Sequence, residues 1–295
     1  MALKGILYLL LTFVGIGATF RYPFAGIITF VLTNYLRPEI FSYGALVPFR
    51  IPLVVSVVTV ISLVVHRNDV RSFRTHSPIL PSLFLMLFFL HLSGYTAVNM
   101  DLSLHWDYEI LKILAFCYVA IVLIDSENRL KKFLYANMIG AGFLAIWGFQ
   151  QHFAGNVRLE KVGGGATDNS NGLATLFVLL LPLFIYLISN RKYWIKVMGM
   201  IMSGFLLADI IFTQSRAAFF AAGVMLIYIF LRLKTRTKYF FVLLAIPFLQ
   251  TAMETTSLND ETSTERMMGV YDQGLTVDSS GQSRKELWRA GWEMF

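Results

Sequence analysis

One cysteine, Cys117, is all that 295 residues provide, which excludes an intrachain disulfide framework and any metal site built from cysteines. Charge is scarce as well: 15% of the residues are Asp, Glu, Lys or Arg, where a soluble domain carries about 25%. The five histidines are scattered and none forms a His-Glu-x-x-His pair, so no metal centre is expected. Gly163-Gly164-Gly165 is not followed by Gly-Lys-Ser/Thr, which excludes a phosphate loop of the ATP-binding kind. There is no Gly-x-Ser-x-Gly elbow for a serine nucleophile. No metal site is visible in the sequence, and no cofactor is expected.

What is present is apolar sequence. The chain is 56% hydrophobic, with a mean hydropathy of +0.62. A soluble protein of that composition would expose large apolar patches and aggregate, whereas lipid tolerates it. Only helices or closed barrels satisfy every backbone polar group in lipid. Barrel strands would alternate apolar and polar residues; the runs here are continuous, which favours helices. They lie near 5–20, 22–36, 47–65, 78–97, 110–125, 134–153, 171–189, 197–214, 217–231 and 239–253. The expected fold is an all-α, polytopic transmembrane bundle of about nine or ten membrane segments (residues 1–253), followed by a large external loop (254–295).

The net charge of +7 does not indicate a nucleic-acid partner, because the basic residues sit in short clusters between apolar runs. Four connectors hold thirteen of them: Arg67, Arg71 and Arg74; Arg129, Lys131 and Lys132; Arg191, Lys192 and Lys196; Arg232, Lys234, Arg236 and Lys238. The alternate connectors 98–109, 154–170 and 214–216 hold three, Arg158, Lys161 and Arg216. The positive-inside rule then makes the basic connectors cytoplasmic and the protein a multi-pass inner-membrane protein. If 5–20 and 22–36 both span, the N-terminus is external. If they form one long or broken element around Arg21-Tyr22-Pro23, the count is nine with a cytoplasmic N-terminus, and that is the reading adopted from the sequence. Residues 254–295 carry eight Asp/Glu and four Lys/Arg and follow an outward crossing, which places them outside. The chain stops at Phe295 within an amphipathic pattern starting near Ser283, so a truncated chain is expected.

Charge in or at the edge of a membrane is costly, and the external half collects it. Arg216 follows Thr213-Gln214-Ser215 in a tight external hairpin. A guanidinium fixed there can hold a diphosphate in bidentate fashion; the alternative is an interfacial arginine that snorkels to headgroups. Ser215 suits the N-cap of the next helix. Arg284, after Asp278-Ser279-Ser280-Gly281-Gln282-Ser283, suits an anion site at a helix start, or is a solvated loop arginine. Lys112 lies three residues into an apolar run at its external end, placed either to reach the same phosphate or to anchor by snorkelling. Asp209, seven residues before Arg216, shares a helical face with it and either orients it or is a buried partner without a chemical role. Asp168 and Asn169 open a membrane helix, where capping alone explains them. His91 fits a helix–helix hydrogen bond better than a base.

Four stretches together resemble the O-antigen ligase-like superfamily, which also includes O-antigen polymerases. They are Arg21-Tyr-Pro-Phe-Ala-Gly26 leading to Asn34-Tyr-Leu-Arg-Pro38; Asp168-Asn-Ser-Asn-Gly-Leu-Ala174; Thr213-Gln-Ser-Arg-Ala-Ala218; and Asp278-Ser-Ser-Gly-Gln-Ser-Arg284 leading to Trp288. The closest likeness is to the O-glycosylation ligases associated with exosortase systems. The resemblance implies a glycosyltransferase acting at the periplasmic face. Such an enzyme moves a glycan from undecaprenyl diphosphate to a lipid A core, a growing polysaccharide or a protein hydroxyl, without a metal. Arg216 and Arg284 match the two arginines that bind the carrier diphosphate in that family. Lys112, Asp168, Asn169, Ser215 and Asp209 are the expected substrate-binding residues. A further catalytic histidine and the last membrane helices would lie beyond Phe295. A secondary transporter is the alternative from another class, but it would need a midplane site and matched broken helices; an inactive remnant is a third reading.

Overall fold

The fold comes from a computed structural model that describes residues 3–36, 50–67, 79–95, 97, 100–156, 158–162, 168–188, 192–232 and 289. Among these residues every regular element is helical. The nine helices are α1 (Leu3–Arg21), α2 (Pro23–Leu36), α3 (Ile51–Val65), α4 (Ile79–Tyr95), α5 (Met100–Leu123), α6 (Glu127–Phe153), α7 (Ser170–Ile188), α8 (Tyr193–Phe212) and α9 (Arg216–Arg232). Three of them, α6, α7 and α8, are long and apolar enough to cross a membrane. The apolar helices α2 and α3 have 14 and 15 residues. At 1.5 Å per residue each is about 21–23 Å long, short of the roughly 30 Å of a hydrocarbon core. The expected segment at 239–253 and the external stretch 254–295 lie outside the described residues, apart from the exposed Arg289.

The helices alternate in direction. In α2 and α6, which run parallel, Phe24 lies under the Arg129 guanidinium (5.6 Å to the ring centroid) and Tyr35 donates to Asn137 Oδ1 at 3.1 Å. α8 also runs parallel to α6, with Gly142 beside Met202, Phe149 against Phe205 and His152 against Phe212. α7 runs antiparallel between them, with Gly199 of α8 pressed on Leu187. One end of the bundle, the basic end, thus collects Arg129, Lys131, Lys132, Lys192 and Lys196 from the starts of α6 and α8 and Arg232 from the end of α9. The opposite end, called the far end below, collects the ends of α6 and α8 and the starts of α7 and α9.

Two expectations need correction. Segments 5–20 and 22–36 are not one broken element. A Cβ on Gly15 would lie 2.6 Å from the Thr29 side chain, although a continuous helix would separate residues 15 and 29 by about 21 Å. The chain folds back at Tyr22, where Pro23 removes a backbone donor and starts α2. The turn docks on the basic end of α3, where Ser62 Oγ donates to the Thr19 carbonyl, so the start of α1 points to the far end. The second correction concerns 110–125. Helix α5 begins ten residues earlier, at Met100, with Asp101 in its first turn, where a carboxylate complements the helix dipole. Likewise Arg129, Lys131 and Lys132 belong to the first turns of α6 rather than to a connector. Ser126 caps that helix, and Asp125–Arg129 and Glu127–Lys131 pair at 3.0 and 2.7 Å.

The larger core lies among α6–α9 and includes Ala141, Leu144, Ala145, Leu173, Phe177, Leu181, Leu206, Ile210 and Ala222. A smaller one joins Ile27, Leu63, Val119, Val122 and Leu123. The outside of the bundle is as apolar as its inside: Phe13, Val57, Val64, Phe84, Phe88, Ile113, Leu179, Ile201, Phe220 and Ile227 are all exposed. An apolar rim of this extent belongs in lipid.

Candidate functional site

The far end of α6–α9 is built on close approach. One face of α6 carries small residues, with Ala141, Ala145 and Gly148 buried at helical spacing. Gly148 lets the Asp209 side chain of α8 lie directly on the α6 backbone; a Cβ there would sit 2.8 Å from Asp209 Oδ2. Asp209 is fully buried, and neither carboxylate oxygen has a hydrogen-bond partner among the described residues. One turn further on, His152 stacks flat on Phe212, with centroids 3.6 Å apart and planes at 8°.

Helix α8 ends in a tight turn. The Thr213 and Gln214 amides donate to the carbonyls of Asp209 and Ile211, both at 2.9 Å, and Gln214 takes a left-handed conformation (φ 53°). Ser215 is buried, and its Oγ accepts from the Ala218 amide at 3.4 Å, so it caps α9. Arg216 is the first residue of α9. The connector after α6 covers this turn. Leu159 and Val162 plug into the core, and the Leu159 amide donates to the Phe212 carbonyl at 3.2 Å. Arg158 Nη2 donates to Ser170 Oγ at 2.7 Å at the start of α7. There Asn169 Oδ1 accepts from the Gly172 amide at 2.6 Å and caps the helix, while the Asp168 carbonyl accepts from the Lys161 amide at 2.7 Å. Helices α7 and α9 pack together, so two helix N-termini present their positive dipole ends on the same side.

Five of the residues singled out from the sequence, Asp168, Asn169, Asp209, Ser215 and Arg216, thus share one end of one helix group. Lys112 does not join them. It is the thirteenth residue of the 24-residue α5, which packs chiefly on α4 and α2; it pairs with Glu109 and lies over the Tyr108 ring at 4.7 Å. Because the helix starts at Met100, Lys112 lies mid-helix rather than near a helix start. Arg284 and Gly163–Gly165 lie outside the described residues. His91 makes a contact between helices: Nδ1 is 3.5 Å from Asp107 Oδ2 of α5, and Nε2 is 3.2 Å from the Tyr95 hydroxyl. Among the described residues no three His, Cys, Asp or Glu side chains come together as metal ligands.

Residues 3–192 match the family described as a family of unknown function, DUF5935. The chain belongs to that family. The DUF5935 match covers α1–α7 and ends just before α8, so Asp209, Ser215 and Arg216 lie beyond it while Arg158, Asp168 and Asn169 lie within it. No curated protein and no solved structure matches the chain.

Two residues that matter to this geometry drew no attention as site residues in the sequence. Gly148 was legible only as part of the Ala141, Ala145, Gly148 spacing on α6. Arg158 registered only as a charge on a non-basic connector; its contact with Ser170 depends on how the connector folds back.

Proposed function

We propose that this chain is a bacterial inner-membrane glycosyltransferase. It moves a glycan from undecaprenyl diphosphate to an acceptor hydroxyl, on a lipid A core, a polysaccharide or a protein, at the periplasmic face. The observation that carries the reading is the position of Arg216: it starts α9 at the end of the bundle opposite the basic connectors, next to the start of α7. With the basic end cytoplasmic, that end is periplasmic. The antiparallel α1–α2 hairpin favours ten membrane segments up to residue 253, with the N-terminus on the periplasmic side.

The chemistry follows from charge. The acceptor hydroxyl oxygen bonds to the anomeric carbon as the bond from that carbon to the diphosphate breaks; the leaving lipid diphosphate gains negative charge, and the hydroxyl proton passes to it or to water. A guanidinium held at that oxygen stabilises the transition state; one well-placed donor of this kind contributes about 3–4 kcal/mol. Two helix N-termini add to the positive potential without any metal. The apolar exterior of α7 and α9 suits a polyprenyl tail lying in lipid beside them.

The test is glycan transfer by the full-length protein in membranes. Arg216→Ala should abolish transfer and leave insertion and expression intact. Transfer at the normal rate by that variant would remove Arg216 from the mechanism and with it this reading.

A further inference from the structure

We propose that Arg158 is a further binding residue for the diphosphate of the lipid carrier, an inference that rests on the reading just given. The connectors 98–109, 154–170 and 214–216 carry three cationic residues between them, Arg158, Lys161 and Arg216. The fold brings the first and last of these to one corner. The Leu159–Phe212 backbone hydrogen bond lays the connector on the end of α8, one residue before the Thr213–Ser215 turn that leads into Arg216. Leu159 and Val162, which follow Arg158 in the chain, are sunk in the core and fix the backbone that presents it.

The guanidinium is held but not consumed. Nη2 donates to Ser170 Oγ at 2.7 Å, Nε lies 3.4 Å from a Glu160 carboxylate oxygen, and the side chain remains 48% exposed. Arginine has five N–H donors in a planar fork, so these two contacts orient it and leave donors for a phosphate. Ser170 is buried at the start of α7, which makes it a fixed anchor. Two cationic positions, one before α7 and one opening α9, suit a ligand with two linked phosphates better than one with a single phosphate. Glu160 is an exposed competitor for the same guanidinium, displaced when the anion binds.

The test uses the full-length protein in lipid nanodiscs, titrated with undecaprenyl diphosphate and, separately, undecaprenyl monophosphate. Arg158→Gln should weaken diphosphate binding about tenfold, the size of one charge-assisted hydrogen-bond pair, and leave monophosphate binding unchanged. Arg158→Lys, which keeps the charge but not the fork, should lose less, and Glu160→Gln should tighten diphosphate binding. A preference for the diphosphate that survives Arg158→Gln, or equal weakening of both lipids, overturns the proposal, since a purely structural arginine would affect both alike. If the preference is lost in Arg216→Ala but kept in Arg158→Gln, this inference alone fails. If the unaltered protein binds neither lipid, the proposed function fails first.

Discussion

Gly148 of α6 and Asp209 of α8 are packed so closely that the glycine's missing side chain is the space the carboxylate occupies. Gly148→Ala should therefore destabilise the protein by about 1–3 kcal/mol, the range for overpacking a well-filled interior. The atoms a Cβ would meet are Oδ2, Cγ and Oδ1 of Asp209, so Asp209→Ala should relieve most of that cost. A double-mutant cycle on thermal unfolding in detergent checks this; additive effects would show that the two positions are not coupled.

Asp209→Ala by itself separates two roles. Removing a buried carboxylate with no partner among the described residues should cost little stability. If the carboxylate orients Arg216, the same variant should lower glycan transfer at unchanged melting temperature. Unchanged transfer would leave Asp209 as packing alone.

Gln214 holds a left-handed conformation between α8 and α9 that costs a residue with a Cβ roughly 1–2 kcal/mol. Gln214→Gly should raise the stability of this turn by up to about 1 kcal/mol, read as a higher unfolding midpoint. A lower midpoint would mean that the glutamine side chain itself holds the turn.

The α1–α2 hairpin makes a prediction about sidedness. In a Cys117→Ser background, a cysteine at position 4 should react with a membrane-impermeant maleimide added outside intact spheroplasts. A cysteine at Arg21, which is exposed in the turn at the basic end, should react only in inverted vesicles. The opposite pattern at position 4 would restore a single broken segment.

Much of this architecture was legible because membrane helices leave a coarse signal. Continuous apolar runs and clustered lysines and arginines located α7 and α8 to within a few residues and set the alternation of basic and non-basic ends. Helix starts were harder. Asp101, Asp107 and Glu109 fall in the stretch 98–109 that reads as a connector, yet they belong to a continuous helix in which Asp107 lies beside His91 and Glu109 pairs with Lys112. The fold-back at Tyr22 depends on tertiary contacts, Gly15 with Thr29 and Thr19 with Ser62, which no local pattern specifies. Ser215 and Asn169 were recognisable because capping is local chemistry. Gly148 and Arg158 were not, because their roles depend on partners 61 and 12 residues away, Asp209 and Ser170.

The most direct measurement joins Arg216 and Arg284 in the full-length protein. With Cys117→Ser as background, Arg216→Cys and Arg284→Cys are combined and treated from outside intact spheroplasts with a short, membrane-impermeant bis-maleimide. One diphosphate gripped by both positions predicts an intramolecular crosslink formed from the outside. Two cysteines that each react singly but never link, or that react only from the cytosolic side, would contradict it.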